Sequence, residues 1–277
     1  MRIDAHQHFW ALARGDYGWL TPDLSPIYRD FGPSDLTPLL EERGIDGTVL
    51  VQAAPTEDET DYMLDVAAET PFVAGVVGWV NFASADASAR IAERATSSLV
   101  GLRPMIQDIE DPDWMLRPNL APAFAALIDH DLVFEALTLP RHLSNLRRLL
   151  ARHPGMRVVV DHASKPAIRD GSFEPWATEM AAIAAETAAF VKLSGLVTEA
   201  ADGWSTATLK PYTDHLLATF GPSRMIWGSD WPVCTLGGSY AEWWDATEEL
   251  LAPLSTEDRA GILGLNAAKA YGLAQRV

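Results

Sequence analysis

Cysteine is nearly absent: Cys234 is the one thiol in 277 residues. A disulfide needs two thiols and a cysteine zinc cluster needs more, so neither can form within the chain. Basic residues are also scarce, 21 against 38 acidic ones, and the formal charge is −17. A surface this negative repels phosphate backbones, which argues against a nucleic-acid partner. No apolar run approaches the roughly 18 residues that span a bilayer. The chain opens directly into a strand-like segment with no charged-then-apolar leader, so the expected location is the cytoplasm. A glycine fingerprint opening the first helix, the mark of a dinucleotide-binding sheet, is missing. No glycine-rich loop after a strand offers a phosphate nest either. Linker and low-complexity stretches are lacking, and residues 1–277 read as one domain.

What the chain does have is repetition. Eight short apolar segments follow one another: Ile3–His8, Gly47–Ala53, Val73–Val80, Leu99–Met105, Leu132–Leu137, Arg157–His162, Phe190–Ser194 and Arg224–Gly228. Most are continuous apolar runs, the pattern of parallel strands buried on both faces. Segments of helical spacing lie between them. One begins after Ser34 with Leu36, Leu39 and Leu40. Another carries Leu143, Leu146, Leu149 and Leu150. A third, with Tyr212, His215, Leu216 and Thr219, is closed by Gly221. Tail helices are expected over Thr256–Leu263 and Asn266–Leu273. Strand then helix, eight times over with right-handed crossovers, predicts a (β/α)8 TIM barrel. The long stretch from Phe9 to Pro33, rich in Trp, Tyr, Pro and Asp, reads as a loop covering a site.

Barrels of this kind place their active sites at the C-terminal ends of the strands, and polar residues collect there. The first segment runs Asp4-Ala5-His6-Gln7-His8. Strand alternation puts Asp4, His6 and His8 on one face, and two imidazoles there are a ready pair of metal ligands or hydrogen-bond donors. The fourth segment ends near Arg103, the fifth carries Glu135, and the sixth ends in Asp161-His162. Lys192 and Ser194 stand on the seventh, and Asp230 follows the eighth. Plain structural alternatives exist for several of these. Asp230 suits a turn cap, Glu135 suits an ion pair with Arg103 or Arg141, and Lys192 suits a rim position. Their gathering at one barrel end favours a site. His130, His153 and His215 fall on helices and are read as surface residues. Cys234, without a paired base, is read as filler. Trp10, Trp19 and Trp231 fall in strand-end loops, with Trp79 close by, where flat rings suit the C–H faces of a sugar.

Three segments together resemble the amidohydrolase superfamily. They are Asp4-x-His6-x-His8, Asp161-His162-Ala163-Ser164-Lys165-Pro166 and Gly228-Ser229-Asp230-Trp231-Pro232. With Pro140-Arg141-His142-Leu143 and the closing Asn266-Ala267-Ala268-Lys269-Ala270-Tyr271-Gly272-Leu273, the likeness narrows to the amidohydrolase-2 branch, which holds sugar-acid lactonases of the L-fuconolactonase and L-rhamnonolactonase type. The similarity spans nearly the whole chain. Three departures stand out. Arg103 occupies the place of a carbamylated lysine, Glu135 that of a ligand histidine, and the seventh strand has no histidine. The resemblance therefore implies at most one divalent ion, such as zinc, on His6, His8 and Asp230, with Glu135 as a further ligand. A metal-free site, with His6, His8 and Arg103 as hydrogen-bond donors, stands beside it.

The implied reaction is hydrolysis of a sugar-acid lactone. Asp230 is the expected general base, taking a proton from the attacking water and returning it to the ring oxygen. His162 with His6 and His8, or a metal those two hold, polarises the carbonyl. Arg103, His142 and Lys192 form the expected polar rim for a small-molecule sugar lactone, with Trp10 and Trp231 above it. A non-oxidative decarboxylase or lactone isomerase on the same scaffold, and a non-catalytic binding barrel, are the competing readings. Oligomeric state is left open.

Overall fold

The computed structural model describes residues 1–96 and 98–273. Each of the eight apolar runs contains a strand: β1 Ile3–Gln7, β2 Gly47–Val51, β3 Val73–Gly78, β4 Leu99–Leu102, β5 Val133–Ala136, β6 Val158–Val160, β7 Phe190–Leu193 and β8 Met225–Trp227. They pair in sequence order, every neighbour parallel. Valine dominates them because a β-branched side chain packs well on a pleat that is covered on both sides. The seam between β1 and β8 is not a ladder. It is a single bridge at the C-terminal end, Gln7 opposite Trp231. There His8 N–H donates to Trp231 O at 2.8 Å and Asp230 N–H donates to His6 O at 2.8 Å.

Helices Pro33–Arg43, Glu57–Glu69, Ala87–Arg94, Ala121–Asp129, Leu143–Arg152, Trp176–Glu186, Thr206–Phe220 and Tyr240–Leu251 follow the strands in turn. The first starts differently from its expected Ser34 cap. Gly32 is the N-cap, Pro33 takes the first helical position, and the Asp35 carboxylate accepts from Gly32 N–H at 3.0 Å. Pro33, with no N–H to satisfy, suits that first position. Among the described residues no helix is long and apolar enough to cross a membrane.

Two apolar layers result. An outer one lies between strands and helices. The inner one fills the barrel with Ile3, Ala5, Val49, Val51, Val77, Val100, Val133, Val159 and Ile226, and is floored by Ala267, Tyr271 and Leu273. The two expected tail helices are one continuous path, Thr256–Ala260, a wide turn over Gly261–Leu265, then Asn266–Tyr271. At Gly264 a Cβ would lie 2.6 Å from Met1 O, so only glycine lets the tail press against the start of β1.

β1 contains a bulge. Asp4 pairs with Thr48 but Gln7 with Leu50, three steps against two. An extra residue reverses which side chains face inward. Ile3 and Ala5 point into the barrel below the bulge, His6 and His8 above it. Asp4 does not share their face. It turns outward, where its carboxylate accepts from Ser229 N–H at 2.8 Å and Tyr240 O–H at 3.2 Å.

Candidate active site

Six side chains from β1 and the ends of β4, β6 and β8 meet at the barrel mouth. His8 Nδ1 lies 2.7 Å from Val51 O. A carbonyl only accepts, so Nδ1 carries a proton and Nε2 points into the site. It is 3.1 Å from His6 Nε2 and 3.3 Å from Asp230 Oδ1. His6 Nε2 is 3.5 Å from the same carboxylate oxygen. His6 Nδ1 faces Asp161 Oδ1 at 3.1 Å.

Asp161 and His162 are consecutive, yet both reach the site. Strand alternation alone would send them to opposite faces. His162, Ala163, Ser164 and Lys165 all have positive φ, 47°, 49°, 59° and 51°. This left-handed turn brings His162 back inward and carries Lys165 over the mouth. Such a run is strained, by about 1–2 kcal/mol per residue. Side chains hold it: Trp176 Nε1–H donates to Ala163 O at 2.7 Å, and the hydroxyls of Thr138 and Ser164 are hydrogen-bonded. His162 Nδ1 lies 2.9 Å from Ser194 Oγ. Gly195, at φ 67°, sits so close that a Cβ there would come within 2.6 Å of His162 Nδ1.

Electrostatics separate the roles. Burial pushes the His162 imidazole down to about 4, against the pull of Asp161 and Asp230, so it is neutral at neutral pH. Burial likewise holds His6 well below its ordinary value. Burial alone would raise Asp230, but the imidazoles of His162, His8 and His6 around it lower it further than burial lifts it, and it stays ionised. Asp161 is also held well below the ordinary carboxylate range, as His162, His6 and Lys192 outweigh burial. Arg103 Nη1 donates to Asp161 Oδ2 at 2.7 Å.

A cavity of 180 Å³ opens above this cluster, walled by His8, Arg103, His162 and Asp230 together with Trp19, Lys165 and Gln107. Other expected site residues lie elsewhere. Lys192 is fully buried below His6, its Nζ 2.8 Å from both Glu135 oxygens, 3.0 Å from His6 Nδ1 and 3.3 Å from Asp161 Oδ1. It does not reach the cavity. Glu135 is equally buried, takes a hydrogen bond from Tyr271 of the floor helix, and is no neighbour of the Asp230 carboxylate. His142 is enclosed in its own loop, its Nδ1 accepting from Leu139 N–H at 3.1 Å. Trp10 is buried, donates to Arg29 O at 2.7 Å and packs edge-on to Phe31 and Trp19. Trp231 packs between Phe9 and Phe31. Of the loop tryptophans, Trp19 is the one that walls this cavity.

The ligand atoms of His6, His8 and Asp230 form a triangle of 3.1, 3.3 and 3.5 Å. Zinc held at about 2.0–2.1 Å in a tetrahedron separates its ligands by about 3.3 Å. Lone pairs aimed at one point also need a proton or a cation between them. The three residues therefore fit a metal. His6, Asp161 and His162 form a second group that could hold an ion. There Asp161 already faces the cations Arg103 and Lys192 at 2.7 and 3.3 Å.

Eight parallel strands with imidazoles and carboxylates converging at their C-terminal ends define a (β/α)8 barrel of enzyme type. The chain belongs to the amidohydrolase family: the profile described as Amidohydrolase, Amidohydro_2, matches residues 3–273. It is 47% identical over 275 residues to an L-fucono-1,5-lactonase of Burkholderia ambifaria, covering 98% of this chain and 95% of the relative. An L-fucono-1,5-lactonase of Burkholderia multivorans is 34% identical, covering 99% of this chain and 96% of the relative. A crystal structure of an amidohydrolase from Burkholderia multivorans with bound zinc superposes with a TM-score of 0.94 at 34% identity, covering 98% of this chain and 99% of that one. A 2,6-dihydroxybenzoate decarboxylase, at 15% identity and a TM-score of 0.64 over 99% of this chain and 98% of that one, shares the fold alone.

Proposed function

We propose that this protein hydrolyses the ester bond of a sugar-acid lactone, with L-fucono-1,5-lactone the first compound to test. One observation carries the reading: an ionised Asp230 faces the neutral imidazole of His162 at the wall of a small cavity that also presents Arg103 and Lys165. The near full-length likeness to two L-fucono-1,5-lactonases supports it.

Asp230 is the general base. It takes the proton of the attacking water and returns it to the ring oxygen as the ester opens. Neutral His162 is the electrophile. Ser194 O–H donating to Nδ1 leaves Nε2–H to bind the carbonyl oxygen as negative charge grows on it. Lys165 takes the place expected of Lys192 and receives the new carboxylate, while Arg103 holds Asp161 and faces the substrate. One zinc ion on His6, His8 and Asp230 would polarise the carbonyl and lower the pKa of a bound water. Glu135 is left out of this ligand set.

The test is acid release from a panel, corrected for spontaneous hydrolysis. Five- and six-membered aldonolactones should be opened, while long-chain alkyl lactones, phosphate esters and aromatic acids should be left almost untouched. Release of carbon dioxide from an aromatic acid with no lactone opened would move the protein to the decarboxylases. Elemental analysis should find no more than one zinc per chain; two would contradict the assignment of Asp161 to its cations.

A further inference from the structure

Beside the catalytic cavity lies a larger chamber of 540 Å³ that the proposed reaction leaves unused. The two share Trp19, Met105 and Asp108 as walls. The two therefore adjoin, and a group attached to a ring in one lies beside the other. Trp19 is fixed at the junction by its Nε1–H, which donates to Ala53 O at 2.7 Å. Pockets for drug-sized ligands run about 300–1,000 Å³. The catalytic cavity at 180 Å³ falls below that range and suits one small ring, whereas the adjoining chamber falls inside it.

The lining indicates what the chamber takes. Trp79, Phe82 and Trp114 give it aromatic walls, and Trp79 is only half-buried. Indole and phenyl surfaces pack against the C–H faces of a flat ring. Asp16 and Asn81 stand among them, and with Asp108 they supply acceptors for hydroxyl groups. Asp16 is paired with Arg14 at 2.6 Å, while Asp108 has no ion pair among the described residues and repels a second anion, so a uronate or a phosphorylated ring is disfavoured. A neutral, hydroxylated ring fits all three features.

We propose that this chamber is a second-ring subsite, binding a neutral sugar residue attached to the lactone, so that glycosylated aldonolactones are substrates alongside single-ring ones. The proposal rests on the lactonase reading for its chemistry but not for its binding site. A reaction that oxidises the reducing end of a disaccharide would supply such a substrate.

The experiment compares a β-linked disaccharide 1,5-lactone with its single-ring parent on the wild type and on Trp79→Ala. The contacts that anchor Trp79 in the fold are backbone ones to the Thr60 hydroxyl, at 2.8 Å, and the substitution keeps them. The wild type should open both lactones. The variant should lose tenfold or more in kcat/KM for the disaccharide lactone, chiefly through KM, and stay within twofold on the parent. Rejection of the disaccharide lactone by a wild type that opens the parent would overturn the proposal. So would equal losses on both substrates, or a preference for an alkyl-substituted 1,5-lactone. If neither lactone is opened, the lactonase reading fails instead. Calorimetric titration with the reduced, non-lactone disaccharide then decides the subsite: heat of binding that Trp79→Ala abolishes supports it, and no heat with the wild type overturns it.

Discussion

At the scale of single residues, Asp230 is where three imidazoles converge and where the proposed mechanism places the base. Its oxygen lies within 3.3–3.9 Å of three imidazole Nε2 atoms, and they keep it ionised despite burial. Asp230→Asn retains shape and loses the base. Turnover should fall about a hundredfold or more while the protein remains folded; near-normal turnover in the variant would remove Asp230 from the mechanism. Lys192 makes the opposite case. It is a lysine with the right position in the chain and no access to substrate, because Glu135, Asp161 and His6 enclose it. Breaking a buried ion pair on one side costs about 3–5 kcal/mol, since the remaining charge is left uncompensated. Lys192→Met should lower the urea midpoint accordingly, and adding Glu135→Gln should restore part of the loss. A single variant as stable as wild type would show that the pair contributes nothing.

At the scale of elements, the strand ends hold the site and the loops after them decide its detail. Gly195 combines a left-handed backbone with a close approach to His162. Alanine there must adopt φ near 67° and drive a methyl into the His162 ring. Gly195→Ala should therefore lose at least 1–2 kcal/mol of stability, about the strain of one left-handed residue, and most turnover, read by thermal melting and lactone opening side by side. The loop after β2 depends on Glu59 in the first turn of helix Glu57–Glu69, whose carboxylate takes the N–H of Ala53 at 3.0 Å and of Ala54 at 2.7 Å. Burial raises this carboxyl from 4.5 to about 7 despite those bonds. The folded state then binds the proton more tightly than the unfolded one. The stability this lends is complete below about pH 4.5 and is lost as pH rises through about 7. Relative to Glu59→Gln, which does not titrate, the wild-type urea midpoint should decline across that window; a constant difference would contradict the shift.

Elements also show how far the residues alone can be read. Eight apolar segments, most of them continuous, announce eight strands, and all eight form. The polar ends of those strands likewise mark Asp230, His162, Arg103, His6 and His8, which the fold brings together. Misplacements occur where backbone geometry departs from regular alternation. The bulge in β1 turns Asp4 outward, and a local insertion of this kind leaves no mark in hydrophobic pattern. The left-handed turn makes Lys165, not Lys192, the lysine at the mouth, and none of its four residues is a glycine that would signal positive φ. Among the tryptophans composition gives no ranking. Trp10 and Trp231 face the packed loop, Trp19 faces the cavity, and only the tertiary path of residues 9–33 distinguishes them.

At the scale of the whole molecule, the barrel interior changes from apolar to polar along its axis. The inner valine cluster and the floor helix close one end, the Glu135–Lys192–Asp161 group lies between, and the histidines open at the other. Tyr271 of the floor helix bonds Glu135, which bonds Lys192, which touches His6. A continuous chain of contacts thus links the last described helix to His6.

The seam between β1 and β8 also bears on how the chain is made. Synthesis runs from the amino terminus, so His6 and His8 leave the ribosome more than two hundred residues ahead of Asp230. The bonds that join these groups, Asp230 N–H to His6 O and His8 N–H to Trp231 O, wait for the eighth strand. The approach of Gly264 to Met1 waits longer still. A polypeptide broken off before residue 230 carries His6 and His8 without the Asp230 carboxylate; on the proposed mechanism it should open no lactone, so lactone opening should report translation carried past the eighth strand.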